Sequence, residues 1–287
     1  MIRFVLIPSM VFLAAGVSVL AAPFDSLSRR LISDGFETAY IERVYSASSV
    51  QFDSKPVLTY FKIRESKLDY GQFLKPELVT RCKDYMSLHR EVLSGIEKET
   101  GLPPSLLAAL FMVETRLGAY TGRFQVLSVL SSLSASSDAE IMKTMYGQLE
   151  PSERERNGFD RFQQFCVRKS KWAYEELKAF LRHAAAEDIP PESIQGSLAG
   201  AFGIPQFIPS NVLRYGADGN GDGQVDLFSD SDALASAANI LVGCGWKPGL
   251  NPEQRHEVLK CYNQSDVYAR TVLELTRLID EAGTPSK

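Results

Sequence analysis

GLPPSLLAALFMVETRLG, residues 101–118, is the stretch from which the rest of the chain is read. Pro103 and Pro104 suit the first turn of a helix, where a missing amide donor costs little. Leu106, Leu107, Leu110, Val113 and Leu117 follow as an apolar stripe, and Gly118 is a suitable terminator. The pattern predicts a helix over Pro103–Leu117 with Glu114 near its end, between Val113 and Leu117. A carboxyl group in such surroundings is disfavoured in its charged form, so its pKa rises. That is the property a general acid needs to protonate a glycosidic oxygen at neutral pH. The alternative is an ordinary carboxylate paired with Arg116 or Arg123. Arg116 is a sequence neighbour that does not face Glu114 along a helix, which favours a structural role for it.

Outward from this helix, most of the chain carries apolar residues at helical spacing. Helices are expected over Leu27–Val44, Pro76–Thr100, Lys171–Ala186, Asp232–Val242 and Val267–Ala282. Strand-like alternation is scarce, so the fold class is mainly α. Gly101, Pro190 and Pro191, Pro205 and Pro209, the glycines of 216–223, and Pro248 to Pro252 mark the joints. Ser134–Arg168 is polar and strongly charged. It reads as an insertion: a solvated helical hairpin, a mobile flap, or surface without a role.

Composition sets limits. The 287 residues are 45% hydrophobic and 23% charged, as in ordinary globular proteins. A net charge of −4 leaves no basic footprint for nucleic acid and argues against charge-driven docking on a membrane. At the N-terminus, Arg3 precedes an apolar run, Phe4–Leu20, and then Ala21 and Ala22. The run falls short of the ~20 residues that span a bilayer, so residues 1–22 are read as a signal peptide rather than an anchor, with 23–287 the mature domain. No cysteine stands near the cleavage point to carry a lipid. The expected location is the periplasm.

Cys82, Cys166, Cys244 and Cys261 include no CxxC pair, and three histidines make a zinc site a poor reading. In an exported protein four cysteines point to disulfides. Of the three possible pairings, Cys82–Cys166 with Cys244–Cys261 is the preferred one, and buried free thiols are the alternative.

From VETRLG onward the chain resembles the membrane-bound lytic murein transglycosylase B family. The resemblance continues through GSLAGAFGIPQFIPS (196–210), DGNGDGQVDLF (218–228), DALASAANILVGCGW (232–246) and YNQSDVYA (262–269), in the family's order and spacing. It implies a lysozyme-like helical fold with a deep substrate cleft and a small irregular β lobe. It also implies cleavage of the β-1,4 bond between N-acetylmuramic acid and N-acetylglucosamine, with release of 1,6-anhydromuramyl ends. Glu114 then matches the single acid and base. Ser197 matches a serine near the substrate's N-acetyl group, Gln206 a cleft glutamine, and Asn263 an asparagine that positions the muramyl N-acetyl group. Tyr262 and Tyr268 match its aromatic neighbours. Tyr70 matches a saccharide-contacting tyrosine, and Arg168 and Lys169 a basic pair on the peptide-bearing side. The Ser197 block also reads as tight helix packing. The implied partners are peptidoglycan strands and other cell-wall proteins, and a monomer is expected. The other classes weighed are a lysozyme-type hydrolase, a non-catalytic peptidoglycan-binding protein and a calcium-binding signalling module.

Asp218-Gly-Asn220-Gly-Asp222-Gly-Gln224 resembles the start of an EF-hand loop, with oxygen ligands at positions one, three and five and the Gln224 carbonyl at seven. Position twelve is Ser229, where the family carries an acidic residue. The alternative is a Gly/Asp turn held by its own hydrogen bonds. No cofactor is required for the chemistry; a structural Ca2+ is the possible ion. Ile240 stands where the family often has an aromatic, which removes a stacking contact from the expected cleft.

Overall fold

Gly35, with φ +97°, breaks what periodicity reads as one helix from Leu27 to Val44. The chain instead forms α1 (Asp25–Ser33) and α2 (Thr38–Ser46), at roughly a glycine's cost in helix stability. A second expected helix also divides, at His89, into α4 (Pro76–Leu88) and α5 (Arg90–Thr100). The computed structural model describes residues 23–62 and 69–282, so the signal-peptide reading of 1–22 lies outside the described residues. Between α2 and α4 lie α3 (Ser54–Lys62) and a 3-10 turn, Tyr70–Phe73. Then come α6 (Pro104–Thr115), β1 (Phe124–Gln125), α7 (Val126–Ala135), α8 (Ala139–Gly147), α9 (Pro151–Ala186), β2 (Gln195–Gly196), α10 (Pro209–Tyr215), α11 (Asp230–Gly243), α12 (Pro252–Tyr262) and α13 (Asp266–Glu281). The fold is mainly helical, as expected.

α6 is the centre of the first core. Every residue from Leu106 to Val113 is buried, so the helix is apolar around its whole circumference and not along one stripe. α4, α5, α11 and α13 pack around it. A second core joins α1, α2, α7, α9 and α10 through Leu31, Ile41, Leu130, Tyr174, Phe180 and Phe207. A third lies among α3, α7, α8 and α9. It includes Met142, Met145, Phe162 and Phe165, all from the Ser134–Arg168 segment. That segment is therefore a helical hairpin with a buried face, bent at Gly158, and the flap reading does not hold.

The β content among the described residues is small. β1 and β2 pair antiparallel with Phe124 opposite Gly196, and single bridges link Gly196 to Phe202 and Phe202 to Phe207. This irregular patch spans the seam between the first two cores: Ile204 packs in one, Phe202 and Phe207 in the other.

Cys244 and Cys261 form a disulfide that ties the end of α11 to α12. The expected Cys82–Cys166 bridge is absent. Both thiols are free and buried, Cys82 in the α6 core and Cys166 in the hairpin core, so separate packing keeps them apart. Burial pushes each thiol up to about 12, which leaves it unreactive at neutral pH. Ile240 is buried in the second core and offers no surface where an aromatic was expected.

Candidate active site

The site begins where α6 stops. The helix ends at Thr115, two residues before the expected terminus, because Arg116 and Leu117 take left-handed backbone at φ 54° and 63°, with Gly118 at φ 79°. Such conformations cost energy outside glycine and persist only where the surroundings impose them. Thr115 does so: its buried hydroxyl donates to the Ile204 carbonyl at 2.9 Å and accepts from the Gly118 amide at 3.0 Å. Glu114 is thereby left at the last full turn, flanked by core on the helix side and partly open on the other.

The Glu114 residue keeps some exposed surface, yet its carboxyl group is packed round by protein. Burial raises its pKa to about 7, and a hydrogen bond from Tyr268 opposes the rise. The Tyr268 hydroxyl, on α13, donates to Glu114 Oε1 at 2.6 Å. Tyr262, at the end of α12, donates to the Pro205 carbonyl at 2.5 Å. Burial first, and then the Glu114 charge, hold both tyrosines well above the usual phenol value, so both stay protonated donors. Tyr70 is close enough to add to the field at Tyr268.

Two further candidate residues, Ser197 and Gln206, lie on the β patch, next to the paired Gly196 and Phe207. Gln206, at φ 50°, donates through Nε2 to the carbonyls of Thr121 and Gly203, both at 2.9 Å, so its amide is spent on bracing two loops. The Ser197 hydroxyl oxygen accepts from the Ala199 and Ala201 amides at 3.2 and 3.1 Å. These bonds use only its acceptor capacity, and the two amides polarise the hydroxyl. Asn263 follows Tyr262 directly and is partly exposed.

The basic pair departs from this arrangement. Arg168 is exposed on α9. Lys169 donates to the Tyr60 hydroxyl at 2.8 Å and lies over the Tyr60 and Trp172 rings, 4.1 and 4.8 Å from their centroids. Its charge is engaged by α3 and α9. A recess of about 440 Å3 lined by Phe36, Tyr40, Arg43, Leu181 and Arg182 includes none of the site residues.

In the EF-hand-like loop, Asp218 accepts from the amides of Gly221, Asp222 and Gly223 at 2.6, 3.2 and 2.7 Å. Those bonds, that of Gly223 foremost, hold its carboxyl below the usual range. Asn220 donates to Asp222 at 3.0 Å. Ser229 is the N-cap residue just before α11, and its neighbour Asp230 accepts instead from the Tyr85 hydroxyl at 2.7 Å. The loop is closed by a residue that pattern reading missed: Asp232, fully buried, accepts from the Gly219 and Asp226 amides at 2.9 and 2.8 Å. Thr115 was missed in the same way. Neither belongs to a periodic pattern; each reveals itself only through the backbone it holds.

A helical domain with a largely enclosed glutamic acid at the exit of its central buried helix, faced by tyrosines and a small β patch, is of the lysozyme-like class. The chain belongs to the transglycosylase SLT domain family, whose profile matches residues 21–255. It is 28% identical over 178 residues to membrane-bound lytic murein transglycosylase B of Escherichia coli, a match covering 62% of this chain and 41% of that protein. The chain thus spans less than half the length of that relative. Among solved structures, the Escherichia coli lytic transglycosylase Slt35 in complex with calcium is similar, with 20% identity and a TM-score of 0.70 over 91% of this chain and 93% of that one. So is SltB3 of Pseudomonas aeruginosa in complex with NAG-NAM-pentapeptide, with 20% identity and a TM-score of 0.70 over 91% and 79%. At such identities these likenesses concern the fold.

Proposed function

We propose that this chain is a lytic transglycosylase that cleaves the MurNAc-β-1,4-GlcNAc bond of peptidoglycan and leaves 1,6-anhydroMurNAc ends. The observation that carries this reading is an enclosed carboxyl group at the end of the buried helix α6, bonded by the Tyr268 hydroxyl at 2.6 Å, where burial raises its pKa to about 7. Near neutral pH much of it holds a proton to give to a leaving oxygen. Among the described residues, burial and the Tyr268 hydroxyl set its charge and no second carboxylate bears on it, whereas the usual two-carboxylate glycosidase scheme needs one. Glu114 therefore acts twice. Protonated, it donates to the glycosidic oxygen as the C1–O bond breaks, while the substrate's own N-acetyl oxygen supports the developing cation. Ionised, it removes the proton of the C6 hydroxyl, which bonds to C1 and closes the anhydro ring.

The remaining residues position the sugar. Ser197 and Asn263 suit the acetamido group; Tyr262, Tyr268 and Tyr70 suit sugar faces and hydroxyls. Gln206 contributes by bracing two loops. Arg168 is the member of the basic pair left to meet a peptide stem. Peptidoglycan strands are the proposed partner, acted on by a monomer, 23–287, in the periplasm after loss of residues 1–22.

For the 218–229 loop a structural calcium is proposed, since a relative was solved with that ion. Asp218 stays ionised, and Asp222 and Asn220 would have to turn from their bonds within the loop to complete a donor set with the Gln224 carbonyl. Without a carboxylate at Ser229 the ion is weakly held. Bound, it would stiffen the loop; no catalytic step depends on it.

Digestion of purified sacculi followed by mass analysis tests the main reading. The parent chain is expected to release anhydro products, one water lighter than a hydrolase would give, and Glu114→Gln to release none while keeping its fold. Full activity in that variant would end the assignment, and hydrated products would make the chain a hydrolase.

A further inference from the structure

We propose that Tyr120 is a saccharide platform, its ring stacking on a pyranose face of the glycan strand beside the Glu114 site. The inference rests on the glycan-cleaving reading above. An exposed tyrosine is ordinary by itself; the loop that carries this one is not. Tyr120 is 61% exposed although it lies only six residues beyond Glu114, on a segment anchored at both ends to the site.

At the near end, Thr115 holds the three left-handed residues in place, and the Tyr120 amide donates back to the Thr115 carbonyl at 2.9 Å. The Arg116 guanidinium donates to Gln72 at 3.1 Å, inside the turn that carries Tyr70. At the far end, Gln206 holds the Thr121 carbonyl. Gly122 lies so close to Gly196 that a Cβ there would fall 2.1 Å from the Gly196 carbonyl oxygen, next to Ser197. Tyr120 is thus bracketed by the segments that present Tyr70, Ser197 and Gln206.

A segment fixed this firmly does not lose conformational freedom on binding, and a tyrosine has only two side-chain torsions to order. A wide apolar face with one polar tip matches a sugar ring, whose C–H face stacks while its hydroxyls stay wet. Neither a peptide stem nor an anion needs such a face.

The test uses the full chain in the non-cleaving Glu114→Gln form with a soluble glycan fragment, and the active chain with sacculi. Tyr120→Ala is expected to weaken fragment binding by about three- to tenfold. In the active chain KM should rise by a similar factor with kcat within about twofold, the signature of lost uniform binding. Tyr120→Phe and Tyr120→Trp should bind within about twofold of the parent, and the melting temperature of all three should be unchanged because the ring is exposed. Parent-like binding by Tyr120→Ala overturns the proposal, as does a Tyr120→Phe loss equal to that of alanine, which would assign the effect to the hydroxyl. If the chain with Tyr120 intact neither binds nor cleaves glycan, the glycan-cleaving reading falls and takes this one with it. If that chain cleaves and Tyr120→Ala is indifferent, this one alone falls.

Discussion

The Tyr268 hydroxyl donates to Glu114 Oε1 over 2.6 Å, so one hydrogen bond opposes the effect of burial on the same carboxyl. Burial favours the acid; the tyrosine favours the base. In the proposed mechanism this group gives a proton and then takes one back, which needs both. In Tyr268→Phe the opposing bond is gone, the Glu114 pKa rises further, and the fall of kcat/KM at high pH moves to higher pH. The carboxylate required in the second half is less well held, so kcat should drop about tenfold or more. A pH–rate profile on sacculi checks both, and a profile superimposable on the parent's would remove Tyr268 from the mechanism.

The same carboxyl makes stability depend on pH. In the native state its pKa is about 7, whereas an unfolded glutamate has about 4.3. Between those values the native state holds the proton more often, so stability falls as pH rises. The contribution is fully present below the unfolded value and lost once pH has risen through about 7. Glu114→Gln cannot ionise and escapes that loss. Its stability relative to the parent should climb across this window and level off above it. Urea unfolding at a series of pH values measures the difference; parallel curves would show that the carboxyl is not perturbed.

Thr115 is expected to matter as much as a core residue. Thr115→Val keeps the shape but removes a donor to Ile204 and an acceptor for Gly118, leaving two enclosed backbone groups without partners. The cost should be about 1–3 kcal/mol in denaturant unfolding, with activity falling further as the 116–118 turn relaxes. A loss below about 0.5 kcal/mol would mean that the strained turn supports itself.

The disulfide closes a segment of sequence separation 17 between α11 and α12. Replacing both Cys244 and Cys261 by serine should cost about 2–4 kcal/mol. Because Cys261 precedes Tyr262, whose hydroxyl holds the Pro205 carbonyl, kcat should decline as well. Reduction of the parent should reproduce the stability loss, and the serine variant should not respond to reductant. A reductant-insensitive parent would mean that the bond contributes nothing.

The helix that carries Glu114 was legible from its apolar run, which by itself made Glu114 no more than a plausible acid; the proposed roles of Glu114, Ser197, Gln206, Tyr262 and Asn263 rest on the ordered blocks. What stayed hidden depends on contacts distant in sequence. The α6 terminus was misplaced because Arg116 and Leu117 adopt a conformation normally left to glycine, and only Thr115 and Ile204 explain it. Lys169 looked available for a peptide, but Tyr60, far away in the chain, engages it. Cys82 and Cys166 fitted a pairing rule that packing in separate cores overrules. The segment Ser134–Arg168 looked solvated because its charges outnumber the few large residues that anchor it.

The burial of α6 on every side divides the molecule for anyone wishing to change what it acts on. Residues 105–113, which lead up to Glu114, offer no room for diversification, since each is buried and its replacement repacks the interior. Libraries aimed at altering the proposed glycan preference should leave that helix intact. They should instead vary the outward side chains of 116–123 and the β patch.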